Sequence, residues 1–325
     1  MHAVKLAASV AVALAAGIAS TQAQPYPQRP ISMIVPFAAG GPTDVLARVL
    51  GQHMSQTLGR SIVVEDVTGA GGTLGAAKAA KAAPDGYTLV MGNIGTHAAS
   101  LGIYKTLPYE PRSDFEPIML VATTPMVLVT KKDLPVTTLS DVIALAKRRQ
   151  VIVGHAGTGS ASHLTTLLFE SVSKTRLQQV PYRGLSQAMN DLLAGQIEIM
   201  FDQVISSSPH ILNGGVKPIA VTSPTRAKAI ANVPTTIEAG LPNMQAVAWT
   251  ALFAPKGTPK PIIEQLNAAV DKAMKDPAIA KRLDELGADR PAPGEERSPQ
   301  ALGKLVAAEV GKWVPLIRAA GVSIE

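Results

Sequence analysis

No cysteine occurs anywhere in the 325 residues, which excludes disulfides, thiol catalysis and cysteine-based metal sites. A chain of this length buries a core large enough to do without covalent staples, so the absence does not argue against an oxidising compartment. Aromatic residues make up only 4%, a weak basis for sugar binding by ring stacking. A dense basic tract is also missing. The formal charge of +6 comes from scattered lysines and arginines, which argues against nucleic acid and leaves a small anion as the better partner. Signature spacings are missing too: "GAGGTL" and "GTGSAS" depart from G-x-G-x-x-G, and no G-x-x-x-x-G-K-[ST], H-E-x-x-H or G-x-S-x-G occurs. No metal or cofactor is expected.

Long apolar runs are confined to the start of the chain. "MHAVKLAASVAVALAAGIASTQAQ" has a basic residue at Lys5, an apolar stretch from Leu6 to Ala19, and small residues at Thr21 and Ala23. This reads as an export signal over residues 1–23, cut after Ala23 and too short to anchor in a bilayer. Removing Lys5 with it takes the charge from +6 to +5. The mature protein is expected to be soluble and periplasmic.

Beyond the signal, β-branched runs alternate with helical patterns. Strands are expected at 31–37, 61–67, 86–92, 151–156, 177–182, 197–201 and 216–222. Val45, Leu46, Val49, Leu50, Met54 and Leu58 give the clearest helical face. The alternation predicts an α/β fold with mainly parallel sheets. From Pro259 onward three helical segments close the chain. Two aperiodic apolar stretches, 115–130 and 244–255, read as extended crossovers. They divide the chain into a first lobe of residues 24–124 and 248–325 and a second of residues 125–247, with the site in the cleft between them.

Two loops carry the chemistry. In "IVPFAAGGPTDVLAR" (34–48) a strand gives way to Ala38, Ala39, Gly40 and Gly41. Pro42 then suits a first helical position, and Asp44 the first turn, where it also has Arg48 at i+4. Such a turn can offer backbone N–H groups to an anion, or be a plain βα turn with glycines for backbone freedom. In "VIVGHAGTGSASHLTTLLFES" (151–171) Gly157, Thr158, Gly159 and Ser160 repeat the arrangement. Thr158 and Ser160 are either ligand donors or helix caps. His163, in the first helical turn, is expected to be neutral, at a cap or on the surface. Asn93, Thr96 and His97 lie on a further loop that could line the same cleft. Asp202, directly after a strand, could accept a hydrogen bond there or cap a helix. Ser160 with His163 also admits a secreted serine hydrolase, although no carboxylate is identifiable to orient the histidine.

Taken together, "IVPFAAGGPTDVLAR", "PDGYTLVMG", "LPYEPRSDFEPI", "GTGSASH", "VPYRG", "GQIEIMFD", "VKPIAVTS", "VPTTIEAGLP" and "LFAPKGTP" resemble, in order, the extracytoplasmic solute receptors of tripartite tricarboxylate transporters, the Bug family. The resemblance implies a two-lobed periplasmic-binding-protein fold, type II-like, that hinges shut on a small organic acid. The loaded receptor, a monomer and not an enzyme, would deliver its ligand to a large and a small membrane permease subunit. It further implies that the loops at 37–44 and 157–163 hold the ligand carboxylate through Phe37, Ala39, Gly40, Thr158, Ser160 and His163. Asp202 is implied on the cleft wall, and Asn93, Thr96 and Arg183 are further candidates, Arg183 as a bidentate partner for a distal carboxylate. Ser100 and Leu101 depart from the Asn-Pro common after the third loop. The family's ligands run from dicarboxylates to aromatic acids. A receptor used for sensing rather than transport stays open at this point.

Overall fold

The computed structural model describes residues 26–319 and 321–323. The export signal read in residues 1–23 lies outside them. Strand β1 (Ile31–Val35) is buried on both faces, as its nearly continuous apolar sequence requires. Its side chains part by the two-residue period. Ile31, Met33 and Val35 join one core cluster, and Ile34 joins another. Helix α1 (Pro42–Leu58) begins at Pro42 and ends at Gly59 in the left-handed conformation, φ 67°. It lays Leu46, Leu50 and Met54 against the first of these clusters, with Leu266, Val270 and Met274 of α8 (Lys260–Lys275).

Between them run β2 (Ile62–Asp66), α2 (Thr73–Ala80) and β3 (Thr88–Asn93). A π-helical turn, Gly95–Ala99, then continues into α3 (Ser100–Ile103). The second lobe contains α4 (Leu139–Arg148), β5 (Ile152–His155), α5 (Ala161–Ser173), β6 (Gln178–Pro181), α6 (Leu185–Leu193), β7 (Ile199–Gln203), α7 (Val204–Leu212) and β8 (Val216–Val221). After β9 (Val247–Pro255) and α8, helices α9 (Pro277–Glu285) and α10 (Pro299–Ala319) complete the fold.

One long strand spans the two halves, and the chain returns through β9. In β4 (Phe115–Lys131) residues 115–125 pair with β9, while Met126 onward pairs with β7 on one side and β8 on the other. The strand order is β2-β1-β3-β9-β4-β7-β5-β6, with β8 added on β4. The sheets are mixed, not mainly parallel as the sequence pattern predicts. Pairs β1–β2, β1–β3, β5–β6 and β5–β7 are parallel, but every partner of β4 and β9 is antiparallel. A strand that passes from one lobe to the other and its return cannot both follow the direction set by the βαβ units.

Candidate ligand-binding site

The parallel strands of each lobe point their carboxyl ends toward the other lobe, and the loops leaving those ends meet across one gap. Its lining combines Phe37, Gly41, Pro42, Thr43 and Asn93 of the first lobe with Ala156, Ser160, Ala161, Ser162, Leu185 and Gln203 of the second. The crevice beyond strand carboxyl ends is where open α/β sheets bind ligands. The space between the lobes amounts to about 310 Å³.

Helix starts dominate this lining. Gly41 is the N-cap of the 17-residue α1, and Ser160 is the N-cap of the 13-residue α5. Gln203 is the N-cap of α7, and Leu185 is the first residue of α6. First-turn N–H groups have no intrahelical acceptor, and the helix dipole places partial positive charge on them. No side chain charged at neutral pH lines the gap. The gap is therefore electropositive through backbone groups and neutral in its side chains, a combination suited to a small anion.

Hydrogen bonds fix each loop. Asp44, buried, accepts from Gly40 N at 2.8 Å, and its other oxygen lies 2.7 Å from Arg48 Nε in an ion pair that is not aligned as a hydrogen bond. Ser160 Oγ accepts from His163 N at 3.3 Å and lies 3.0 Å from Ser162 Oγ, which accepts from Ala156 N at 2.9 Å. His163 Nδ1 accepts from Gly159 N at 3.1 Å. Burial, with a smaller contribution from His155, its ring 4.7 Å away, pulls His163 down to about 3. That imidazole is neutral in the folded protein.

The tripartite tricarboxylate transporter family receptor model matches residues 46–322. The chain belongs to this receptor family. A curated relative from Agrobacterium vitis, a UPF0065 protein from the TAR-I ttuE-ttuC' intergenic region, is 41% identical over 96% of this chain and 91% of its own. Among solved structures, the periplasmic binding protein BugD is 38% identical with a TM-score of 0.88, covering 92% of this chain and all of its own. MatC from Rhodopseudomonas palustris, solved with bound malate, is 40% identical with a TM-score of 0.87, covering 90% of this chain and all of its own.

This receptor is a binding protein, not an enzyme, and the Ser160–His163 geometry agrees. Ser160 Oγ meets the backbone N–H of His163 rather than its imidazole, so there is no nucleophile–base hydrogen bond. Of the residues expected from the sequence, Phe37, Gly41, Asn93 and Ser160 line the gap. Ala39 and Gly40 are exposed beside it, and the N–H of Gly40 is already held by Asp44. Gly157, Thr158 and Gly159 lie on the loop that touches the opposite lobe, outside the gap lining. Arg183 is exposed, its backbone N–H donating to Gln187 Oε1 at 3.2 Å. Asp44 and His163 are buried behind the loops they brace; His163 is not on the surface.

Thr96 and His97 also lie away from the gap lining, because the segment expected as a loop is a helical turn that packs inward. Thr96 Oγ1 accepts from Asn93 N at 3.0 Å, and its carbonyl accepts from Tyr109 Oη at 2.7 Å. His97 stacks on Phe253 at 4.0 Å, with burial lowering it to about 3. Asp202 is likewise outside the lining. Gln203, the next residue, takes the place expected for it, since neighbours on a strand face opposite ways. Gln203 is buried, with no partner for Oε1 among the described residues. An amide after "IEIMFD" carries no signal in the sequence. Thr43 and Ser162 are further lining residues that the sequence reading passes over.

Proposed function

We propose that this receptor captures a small organic acid, a dicarboxylate of about malate's size, between the N-termini of α1 and α5. It hands that acid unchanged to the large and small permease subunits of a tripartite transporter. The observation that carries the reading is the convergence of two long helix starts, one per lobe, on a single gap without charged side chains. A relative 40% identical was solved with malate bound. We assign ligand contact to Phe37, Gly41, Asn93 and Ser160 from the sequence reading, and add Thr43, Ser162 and Gln203. The lobes run over residues 24–124 with 248–325 and over 125–247, in line with the change of strand partners at Pro125 and Met126. The gap is complete within one chain, so the monomer is the working unit. Residues 1–23 direct it to the periplasm.

Thermal unfolding in the presence of malate, succinate, benzoate and glucose tests this. A ligand at 100 times its dissociation constant adds about 2.7 kcal/mol of stability. Malate or succinate is expected to produce that shift and glucose none. No shift with any acid at millimolar concentration would sink the proposal.

A further inference from the structure

The glycine-rich segment "GAGG" (69–72) takes no part in the gap lining, yet its backbone lies directly against the opposite lobe. Gly71 has φ +62°, and a Cβ placed on it would lie 1.9 Å from the carbonyl oxygen of Thr158. In return, a Cβ on Gly157 would lie 3.1 Å from Gly71 N, and one on Gly159 would lie 3.1 Å from Ile103 and 3.7 Å from the Tyr104 ring. Two backbones thus lie against each other with no side chain between them. Beside them, Tyr104 Oη donates to Ala70 O at 2.7 Å within its own lobe and is 3.3 Å from Thr158 O across the gap. The Ala70 bond holds the hydroxyl where the second lobe arrives.

We propose that Gly71, Tyr104 and Thr158 form a clasp that sets the balance between open and closed receptor without touching the ligand. This rests on the capture of a ligand between two lobes proposed above but not on the identity of the ligand. The geometry has two consequences. Only glycine at 71 admits the Thr158 carbonyl, because any Cβ there meets backbone that cannot move aside alone. The tyrosine hydroxyl has one proton, so in the closed form it is shared between the Ala70 and Thr158 carbonyls. Losing it leaves the approach intact and removes only the share that closure adds, a change of roughly 2-fold in the closed population, the low end for a hydrogen bond.

The chain contains no cysteine, so closure can be trapped by a new pair. A Cβ on Gly40 would lie 3.8 Å from Ser186 Cβ on the facing lobe, within the Cβ separation of a disulfide. The G40C/S186C receptor, free of ligand, is oxidised and the rate of disulfide formation followed by mobility shift. The same pair is then measured with Tyr104→Phe or Gly71→Ala added. Tyr104→Phe is expected to slow trapping roughly 2-fold, and Gly71→Ala to suppress it further. Because Gly71→Ala could also distort its own loop, Tyr104→Phe is the deciding variant. Equal trapping rates with and without Tyr104→Phe would overturn the clasp; because Gly40 sits at φ +76°, where a side chain is strained, rates are compared only between variants that carry the same pair. No ligand is present, so this result is independent of whether malate stabilises the receptor.

Discussion

Asp202 is a carboxyl group with room for one of its oxygens. Oδ1 accepts from Gln203 N at 2.7 Å and from Ser206 Oγ at 2.6 Å, while Oδ2 is buried with no partner among the described residues. Burial pushes its pKa up to about 7, with the two hydrogen bonds pulling weakly the other way. A folded pKa above the unfolded value means the folded state holds its proton longer. The stability this contributes is fully present below about pH 4 and is lost as pH rises through about 7. Replacing Asp202 by Asn removes the titration and keeps the acceptor for Ser206. Relative to the parent, Asp202→Asn is expected to gain on the order of 2 kcal/mol between pH 5 and pH 8 in urea unfolding. A difference that does not change with pH would contradict the burial argument. His97, His155 and His163 work in the opposite sense: burial lowers each, so their contribution is present above about 6.5 and is lost on acidification. The choice between Asp202 and Gln203 was not legible in the sequence. Both follow an apolar strand, and which parity faces the gap depends on the register of β7 with β4 and β5.

At the scale of the element, the gap owes its character to where helices begin, and those starts differ in how clearly they are written. Pro42 with Asp44, and Ser160 ahead of an apolar helix face, mark α1 and α5 openly. Gly95–Ala99 does not read as helix. Its glycine and polar residues suggest a loop, but the packing of His97 between Phe115 and Phe253, with Asn93 Oδ1 accepting from Gly95 N and Thr96 N, holds it as a π-turn. The α5 start also separates ligand binding from stability. Asp in the first turn of a helix favours the dipole by about 0.5 kcal/mol, yet in the gap it would place a fixed negative charge where the anion sits. Ser162→Asp retains an acceptor for Ala156 N. It is expected to melt within a few degrees of the parent while malate no longer raises its melting temperature. If malate still stabilises the variant, the anion does not sit at the start of α5. Thr158, which the sequence places in the site, makes a poorer test, because its carbonyl lies in the contact between lobes rather than in the gap.

Across the whole molecule, the two lobes are joined by β4, which belongs to both, and by the return of the chain into β9, and one side chain ties the two at the crossing. The two crossovers were legible as apolar stretches without helical period; that they share one fastening was not, because Thr222 lies about a hundred residues from one partner in sequence. Thr222 is fully buried just beyond β8. Its N–H donates to Met126 O at 2.8 Å, and its hydroxyl, 3.1 Å from that carbonyl, also reaches Ala246 O. Ala246 N donates back to Thr222 O at 3.2 Å. Met126 is the first residue of β4 paired with the second lobe, and Ala246 immediately precedes β9. Thr222→Val keeps the shape and the backbone bonds but leaves the Ala246 carbonyl without its hydroxyl donor. A buried acceptor stripped of its donor costs about 1–3 kcal/mol. Because β4 is shared by both sheets, that loss is expected to lower one common unfolding transition, followed by calorimetry, rather than to split it. A melt that separates into two steps, with only one displaced, would mean that the lobes unfold independently and that the crossing strands transmit little between them.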